Sequence, residues 1–334
     1  MRLVAAAFAF SASAALAAAP DAAWVARAKK EGAVTLYTSM QLVDSRPLTE
    51  AFEKKYGVKV SLWRASGEKV AERAITEARG GRYDVDVIET DGAQVEIAYR
   101  EKLLAPLKVP SVADVPAEVL PSHGYYAPTR LTLYVMAYNT NLVKPGEVPK
   151  NYADLLQPRW TGKLALENDD VPWFASVVKG MGETNGLAYF RKLAAQKPSM
   201  RKGHTLMAEM VAAGEIEVAV DTHVQGIARL KEKGAPIEWK PLQPAFGQPS
   251  CVGVAARAPH PESARLLADF ILSREGQEII KSRNRVPVSR AVDSPLNKFQ
   301  YRLIDPAIAL DEWEKWSALW SQIFLGGTAV GKGD

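Results

Sequence analysis

The chain has 334 residues, 47% hydrophobic and 24% charged, with a formal net charge of +4. This composition suits a soluble globular protein long enough for two lobes. Its basic residues are scattered rather than clustered, so no nucleic-acid partner is expected, and no polybasic tract adjoins an amphipathic anchor.

Arg2 forms a short positive start, residues 3–15 are apolar and small, and Ala15-Leu16-Ala17 and Ala17-Ala18-Ala19 suit a small-x-small cleavage rule. Residues 1–19 therefore read as a cleavable export signal, too short and too quickly followed by polar sequence to be a membrane span. Cys251 is the only cysteine, which excludes an internal disulfide and a thiolate metal cluster. It also lies far from the signal, so a lipid-bearing cysteine is not expected, and a buried small hydrophobe near a strand is the better reading.

A helix over residues 23–30 precedes a short strand at 34–37, and a helical pattern over 46–56 ends at Gly57. Val58, Val60 and Leu62 alternate along a second strand at 58–63, a helix opened by Ser66 runs to Ala78, and a third strand covers 85–88. Three successive strand–helix units imply a parallel sheet with right-handed crossovers. A long β-rich run follows at 131–138, and then a second α/β unit. Its parts are a helix near 152–156, a strand at 163–166, helices at 172–180, 186–196 and 206–213, a strand at 216–220, a helix at 225–233 and a strand at 237–240. Residues 249–256 read as a second crossing segment, and Pro261-Glu262 opens a helix from His260 to Ser273. Two crossing segments between two α/β units predict hinged lobes, with a cleft at the carboxyl ends of the strands. The expected division is 24–130 with 250–285 for the first lobe and 136–248 with 286–330 for the second.

Residues 155–166, which read Leu-Leu-Gln-Pro-Arg-Trp-Thr-Gly-Lys-Leu-Ala-Leu, resemble the L-x-x-P-x-W-x-G-K segment of periplasmic binding proteins of the ferric-iron type. Ala137-Tyr-Asn-Thr-Asn-Leu142 is similar to that family's crossing strand, and Gly234-Ala-Pro-Ile-Glu-Trp239 and Arg285-Val-Pro-Val288 fit in the same order. The resemblance covers roughly residues 30–320. It implies a two-lobed α/β fold of the type II periplasmic class with two crossing strands. It also implies a periplasmic monomer without a cofactor that captures a small molecule and delivers it to the membrane permease of an ABC importer.

The family's iron binders hold ferric ion with adjacent tyrosines after a second-lobe strand. Here that place reads Val218-Ala-Val-Asp-Thr-His-Val-Gln225, and the first loop reads Thr38-Ser39-Met40-Gln41 without the histidine common there. These departures resemble branches that carry small organic or phosphorus-containing anions. Ser39 and Met40 precede a helix, where backbone N–H groups suit an anion, and Arg64 could grip one in bidentate fashion. Ser66 is a good N-cap and Gly67 permits close backbone approach. Thr90 and Asp91 end the third strand, Trp173 follows Asp170 and Pro172 at a helix start, and Asp221 and His223 end a second-lobe strand. Capping, packing or exposure alone could account for each of these residues. Two alternatives stand beside the anion: capture of ferric or another metal ion by Glu89, Asp91, Tyr134 and His223, and a periplasmic hydrolase built on Glu89, Asp91 and His223. Tyr125-Tyr126 imitates a tyrosine pair but precedes the crossing strand, so it reads as packing. The four histidines include no pair close in sequence, which favours structural roles.

If the export reading holds, amino-terminal sequencing of secreted protein will place the first residue between Ala18 and Asp21. An intact Met1 on the abundant folded form would refute it.

Overall fold

A computed structural model describes residues 19–327. The export signal expected at residues 1–19 lies, but for Ala19, outside them. Helix α1 (Ala22–Glu31) is capped by Asp21 and ends at Gly32 in the left-handed region, where glycine carries no Cβ penalty. Strand β1 (Ala33–Thr38) follows, then α2 (Leu42–Tyr56), β2 (Lys59–Arg64), α3 (Gly67–Arg79), β3 (Val87–Asp91) and α4 (Gly92–Arg100). Helix α2 starts a turn before the expected Arg46. Its first turn is fixed from outside the local sequence, because Arg285 donates to Asp44 at 2.9 and 2.7 Å. Strand β3 runs to Asp91, beyond the expected residue 88, because it pairs with a later strand as far as that residue.

The expected crossing run at 131–138 belongs to a longer strand, β4 (Tyr126–Asn139). Then come β5 (Leu164–Glu167), α5 (Val171–Met181), α6 (Glu183–Ala195), β6 (Ser199–Arg201), α7 (His204–Ala213), β7 (Val218–His223), α8 (Val224–Glu232) and β8 (Ile237–Lys240). The helix expected near Tyr152 is a single 3-10 turn. Strand β9 (Phe246–Val254), α9 (Pro261–Leu272), α10 (Arg274–Ser282), β10 (Val286–Pro287), β11 (Arg302–Leu303), α11 (Pro306–Leu310) and α12 (Trp313–Phe324) complete the described chain.

The strand order is β2-β1-β3-β9-β4-β7-β5-β6. Strands β1, β2 and β3 are parallel, as are β5, β6 and β7, so each half places its following helices at the same end of its sheet. Strand β4 belongs to both halves. It pairs antiparallel with β9 through Leu133 and with β7 and β8 from Tyr134 onward. Its register shifts between Pro128 and Arg130 against β9, and between Val135 and Ala137 against β7. Such bulges bend a strand and re-aim its side chains.

Hydrophobic burial follows this plan. Leu131, Leu133, Val135 and Ala137 of β4 join one core that reaches from Trp24 and Phe270 to Met207 and Ile227. Tyr37, Val70, Ile88 and Val95 fill the opposite face of the first half. Trp160, Phe174, Phe190, Trp316 and Trp320 fill that of the second. The β10 strand, expected with the second lobe, pairs with β4 at Arg130 and Leu131. Among the described residues no helix is long and apolar enough to cross a membrane.

Gln277 locks the crossing strand to the helices beneath it. Fully buried, it donates to Thr129 O and Ile271 O, both at 2.9 Å, and accepts from Val288 N at 2.8 Å and Ser289 N at 3.2 Å. Gln277→Ala leaves buried donors and acceptors unpaired, and should cost about 2–4 kcal/mol of stability. Denaturant unfolding measures this; a midpoint unchanged at constant slope would contradict it.

Candidate functional site

Six helices begin directly at the carboxyl ends of parallel strands: α2, α3 and α4 after β1, β2 and β3, and α5, α7 and α8 after β5, β6 and β7. The first N–H groups of any helix lack intrahelical partners. In all six, the N-cap residue (Gln41, Ser66, Asp91, Asp170, Gly203 or His223) makes no side-chain capping bond. Of the other helices, α6 and α12 also lack a side-chain cap, and the rest have one. Asp21, Ser273 and Asp305 cap α1, α10 and α11, and Glu31 accepts from Glu262 N at 3.1 Å and Ser263 N at 2.7 Å in the first turn of α9. The expectation that the Ser66 hydroxyl caps α3 is thus corrected, although Ser66 occupies the N-cap position.

The first wall is organised by Glu89, which is 1% exposed. Its carboxylate accepts from Thr38 Oγ1 at 2.5 Å, forms an ion pair with Arg130, and lies 3.1 Å from Thr129 Oγ1. A carboxylate so enclosed requires partners, and these come from β1 and β4. Thr90 beside it is fully buried, with a hydroxyl that finds no partner. Gly67 sits against this hydroxyl: a Cβ there would lie 2.9 Å from Thr90 Oγ1 and 2.8 Å from Asp91 Oδ2. The turns after β2 and β3 therefore meet closely only because residue 67 is glycine. Burial raises the Asp91 carboxyl above its ordinary range despite nearby Arg130.

Ser39 is half-buried and its N–H donates to Glu89 O at 3.1 Å, while Arg64 and Ser66 are exposed. Met40 departs from expectation. It is 3% exposed in the core, and its N–H is already taken by Thr38 Oγ1 at 2.9 Å.

The second wall gathers acids and imidazoles. Glu167 ends β5 and accepts from Asp169 N at 2.5 Å and Gly203 N at 2.9 Å. Asp170 Oδ1 lies 3.3 Å from His204 Nε2 and 3.5 Å from the Tyr134 hydroxyl. Asp221, fully buried, accepts from Glu167 N at 3.1 and 3.2 Å, and burial raises its carboxyl well above the ordinary range. His204 and His223, far apart in sequence, stack with centroids 3.5 Å apart. Burial pushes His223 well below its ordinary value, helped by His204. Burial would lower His204 too, but Asp170 and Glu167 outweigh it and hold that imidazole above its usual value. Trp173 is 2% exposed, with its ring against Tyr134 and Phe190, so it backs this wall from the core rather than lining it.

Buried polar atoms without partners concentrate here: Asn168 Oδ1, Asp170 Oδ2, His204 Nδ1, Thr222 Oγ1, His223 Nε2 and Gln225 Oε1. Buried polar groups are ordinarily paired, so such a cluster marks where another molecule is met. The expected metal set of Glu89, Asp91, Tyr134 and His223 is split between the walls. Among the described residues, the His, Cys, Asp and Glu side chains close enough to share an ion are Glu167, Asp170 and His204. The same division separates His223 from the Glu89 and Asp91 of the imagined hydrolytic set. Tyr126 donates to Glu96 at 2.8 Å and Tyr125 packs on Tyr99, as expected of packing residues. Cys251 is buried, with its thiol pushed well above its ordinary value by burial.

Arg130, Glu167, Asp170 and His204 were not among the residues singled out as anion ligands. The last three share the signal that identified the others, a polar residue just after a β-strand. The order β6-β5-β7 then brings them together.

Comparison with known proteins agrees with this architecture. Residues 86–305 match the family model of bacterial extracellular solute-binding proteins. The chain is 26% identical over 281 residues to an Fe(3+)-binding periplasmic protein of Serratia marcescens, covering 81% of this chain and 82% of that one. It is 25% identical over 315 residues, 90% of each chain, to a Salmonella typhimurium periplasmic protein provisionally assigned 2-aminoethylphosphonate. A solved Trichodesmium structure in complex with iron and citrate ligands superposes with a TM-score of 0.70 at 24% identity, covering 80% of this chain and 90% of that one.

Removing Arg130 alone would strand the Glu89 charge. Arg130→Met should cost about 3–5 kcal/mol, and adding Glu89→Gln should restore most of it. A double-mutant cycle by chemical denaturation checks this; additive losses would contradict it.

Proposed function

The chain belongs to the bacterial extracellular solute-binding proteins, of the ferric-iron type and the two-lobed type II fold, and from that premise we propose that it binds a small organic anion between its lobes. Its relatives are periplasmic binding proteins, and the family supplies the substrate-binding components of ABC importers. In this reading the exported monomer closes on the anion, performs no chemistry on it, and passes it to a membrane permease. The lobes are residues 24–130 with 250–285 and 136–248 with the C-terminal segment. Strand β10 goes with the first lobe because of its pairing with β4. The crossing strands serve as the hinge.

The observation that carries this proposal is the set of six helix starts without side-chain caps, all at βα junctions. Backbone N–H groups with positive dipole ends favour an oxyanion. The unpartnered Thr90 and Thr222 hydroxyls add neutral donors. The relative assigned 2-aminoethylphosphonate supports a phosphorus-containing anion as the solute class. The ligand residues are then Ser39, Ser66, Gly67, Thr90 and Asp91 on the first wall and the Asp221–His223 turn on the second, with Arg64 at the exposed rim.

Ferric iron is the second reading, since the Serratia relative is named for it. Against it stands the turn after β7, which reads Asp221-Thr222-His223 and holds no tyrosine. Ferric ion favours anionic oxygen ligands, for which a neutral imidazole is a poorer substitute.

Calorimetry of stripped protein should show 1:1 uncoloured binding of 2-aminoethylphosphonate without turnover. Thr90→Val and Ser66→Ala should each weaken it about tenfold, a loss of about 1.4 kcal/mol. Ligand should also reduce the radius of gyration in solution scattering and raise the melting temperature. A coloured, stoichiometric complex from ferric citrate, with no response to the phosphonate, would replace the anion reading with the iron one.

A further inference from the structure

We propose that Glu167, Asp170 and His204 form a site for a divalent transition-metal ion of the zinc class on the second wall, leaving a coordination position for an oxygen of the captured anion. This rests on the reading of the cleft as the solute site and adds a metal to it. The three residues come from separate elements: the end of β5, the N-cap of α5 and the start of α7. One donor atom from each lies within 4.8 Å of the other two. Donors bonded to zinc at 2.0–2.2 Å stand about 3.4 Å apart, so entry of an ion draws these side chains in by about an ångström.

The charge balance makes the case. Buried Glu89 has Arg130 as its counter-cation. Glu167 and Asp170 are 5% and 7% exposed and Asp221 fully buried, yet among the described residues no lysine or arginine pairs with any of them. The nearby Lys202 pairs instead with Asp169 at 3.6 Å. Among the described residues the one basic side chain paired with them is His204, 3.3 Å from Asp170, so three buried carboxylates share a single imidazole and a bound cation would supply the missing positive charge. Unused donor capacity points the same way: Asp170 Oδ2 and His204 Nδ1 are buried without partners.

The surroundings suit a metal site. Glu167 is oriented by two backbone N–H groups, Asp170 by the Tyr134 hydroxyl, and the His204 ring by stacking on His223. Such outer partners fix ligand geometry. Two carboxylates and an imidazole match zinc and similar borderline ions, and three protein ligands leave a position open.

The test uses mature protein stripped with EDTA and dialysed, with Zn2+ and Co2+ as probes. Calorimetry should give one Zn2+ per chain, and Co2+ should produce visible d–d absorption. Asp170→Asn and His204→Gln should each weaken Zn2+ binding at least about tenfold. His123→Ala, at a histidine that stacks on Tyr99 away from the strand ends, should not. Melting curves report whether each variant folds, and the near-isosteric Asp170→Asn decides the matter if His204→Gln does not. Zn2+ binding no tighter in the parent than in folded Asp170→Asn, or equal loss in His123→Ala, would overturn the proposal. Titration of 2-aminoethylphosphonate in EDTA separates the two readings. Anion binding without metal binding removes the metal site alone, and metal binding without anion binding removes the anion reading alone.

Discussion

The enclosed carboxylate of Glu89 is the constraint from which the arrangement of the first wall follows. At 1% exposure it cannot remain unpaired, and its partners come from β1 through Thr38 and from the crossing strand through Thr129 and Arg130. Satisfying it ties the end of β3 to β1 and, across β9, to β4. That in turn places Thr90 and Asp91 at the mouth of α4, against Gly67. Thr129 lies at the register shift between Pro128 and Arg130, and its carbonyl is held by Gln277. The bulge, the ion pair and the buried glutamine thus act on the same few residues of β4.

The second wall is built on a different electrostatic principle. Its acids are met by backbone N–H groups and imidazoles rather than by guanidinium. The two walls are therefore not interchangeable: one buries a carboxylate against a guanidinium, the other gathers several acids around two imidazoles. Arg130 and Tyr134 lie four residues apart on β4, about 13 Å along the strand. In the proposed reading, a solute spanning both walls would find unpaired helix N–H groups at each and the acids and imidazoles at one end only.

The alternation of strand and helix is legible in the amino-acid order because each strand is a short apolar run stopped by glycine or by a polar turn. That legibility extends to the turns themselves, so the order of residues alone places Ser39, Ser66, Thr90, Asp91 and His223 at strand ends. What it does not reveal is which strands are neighbours. Arg130 meets Glu89 across 41 positions because β9 and β4 follow β3 in the sheet. His204 meets His223 because β6, β5 and β7 lie side by side. The start of α2 escapes a local reading for the same reason, since Asp44 is tied to Arg285, 241 residues away. Met40 and Trp173 defy expectation because a residue after a strand can turn inward as readily as outward, and burial decides both.

The return of β9 to the first half has a consequence for how the protein is made. Strand β3 takes its second neighbour from residues 250–254, and α1 packs against α9, with Trp24 Nε1 donating to Glu262 O at 3.1 Å. A ribosome that has finished β1 through α4 has therefore produced a sheet whose β3 edge is still bare and an unpartnered amino-terminal helix. Roughly 150 more residues must emerge before either is covered, and at ordinary rates of synthesis that takes about ten seconds or more. An open strand edge invites pairing with other chains for all of that interval. The amino-terminal half thus does not close on itself first. Its sheet can be completed only once the last third of the chain is available.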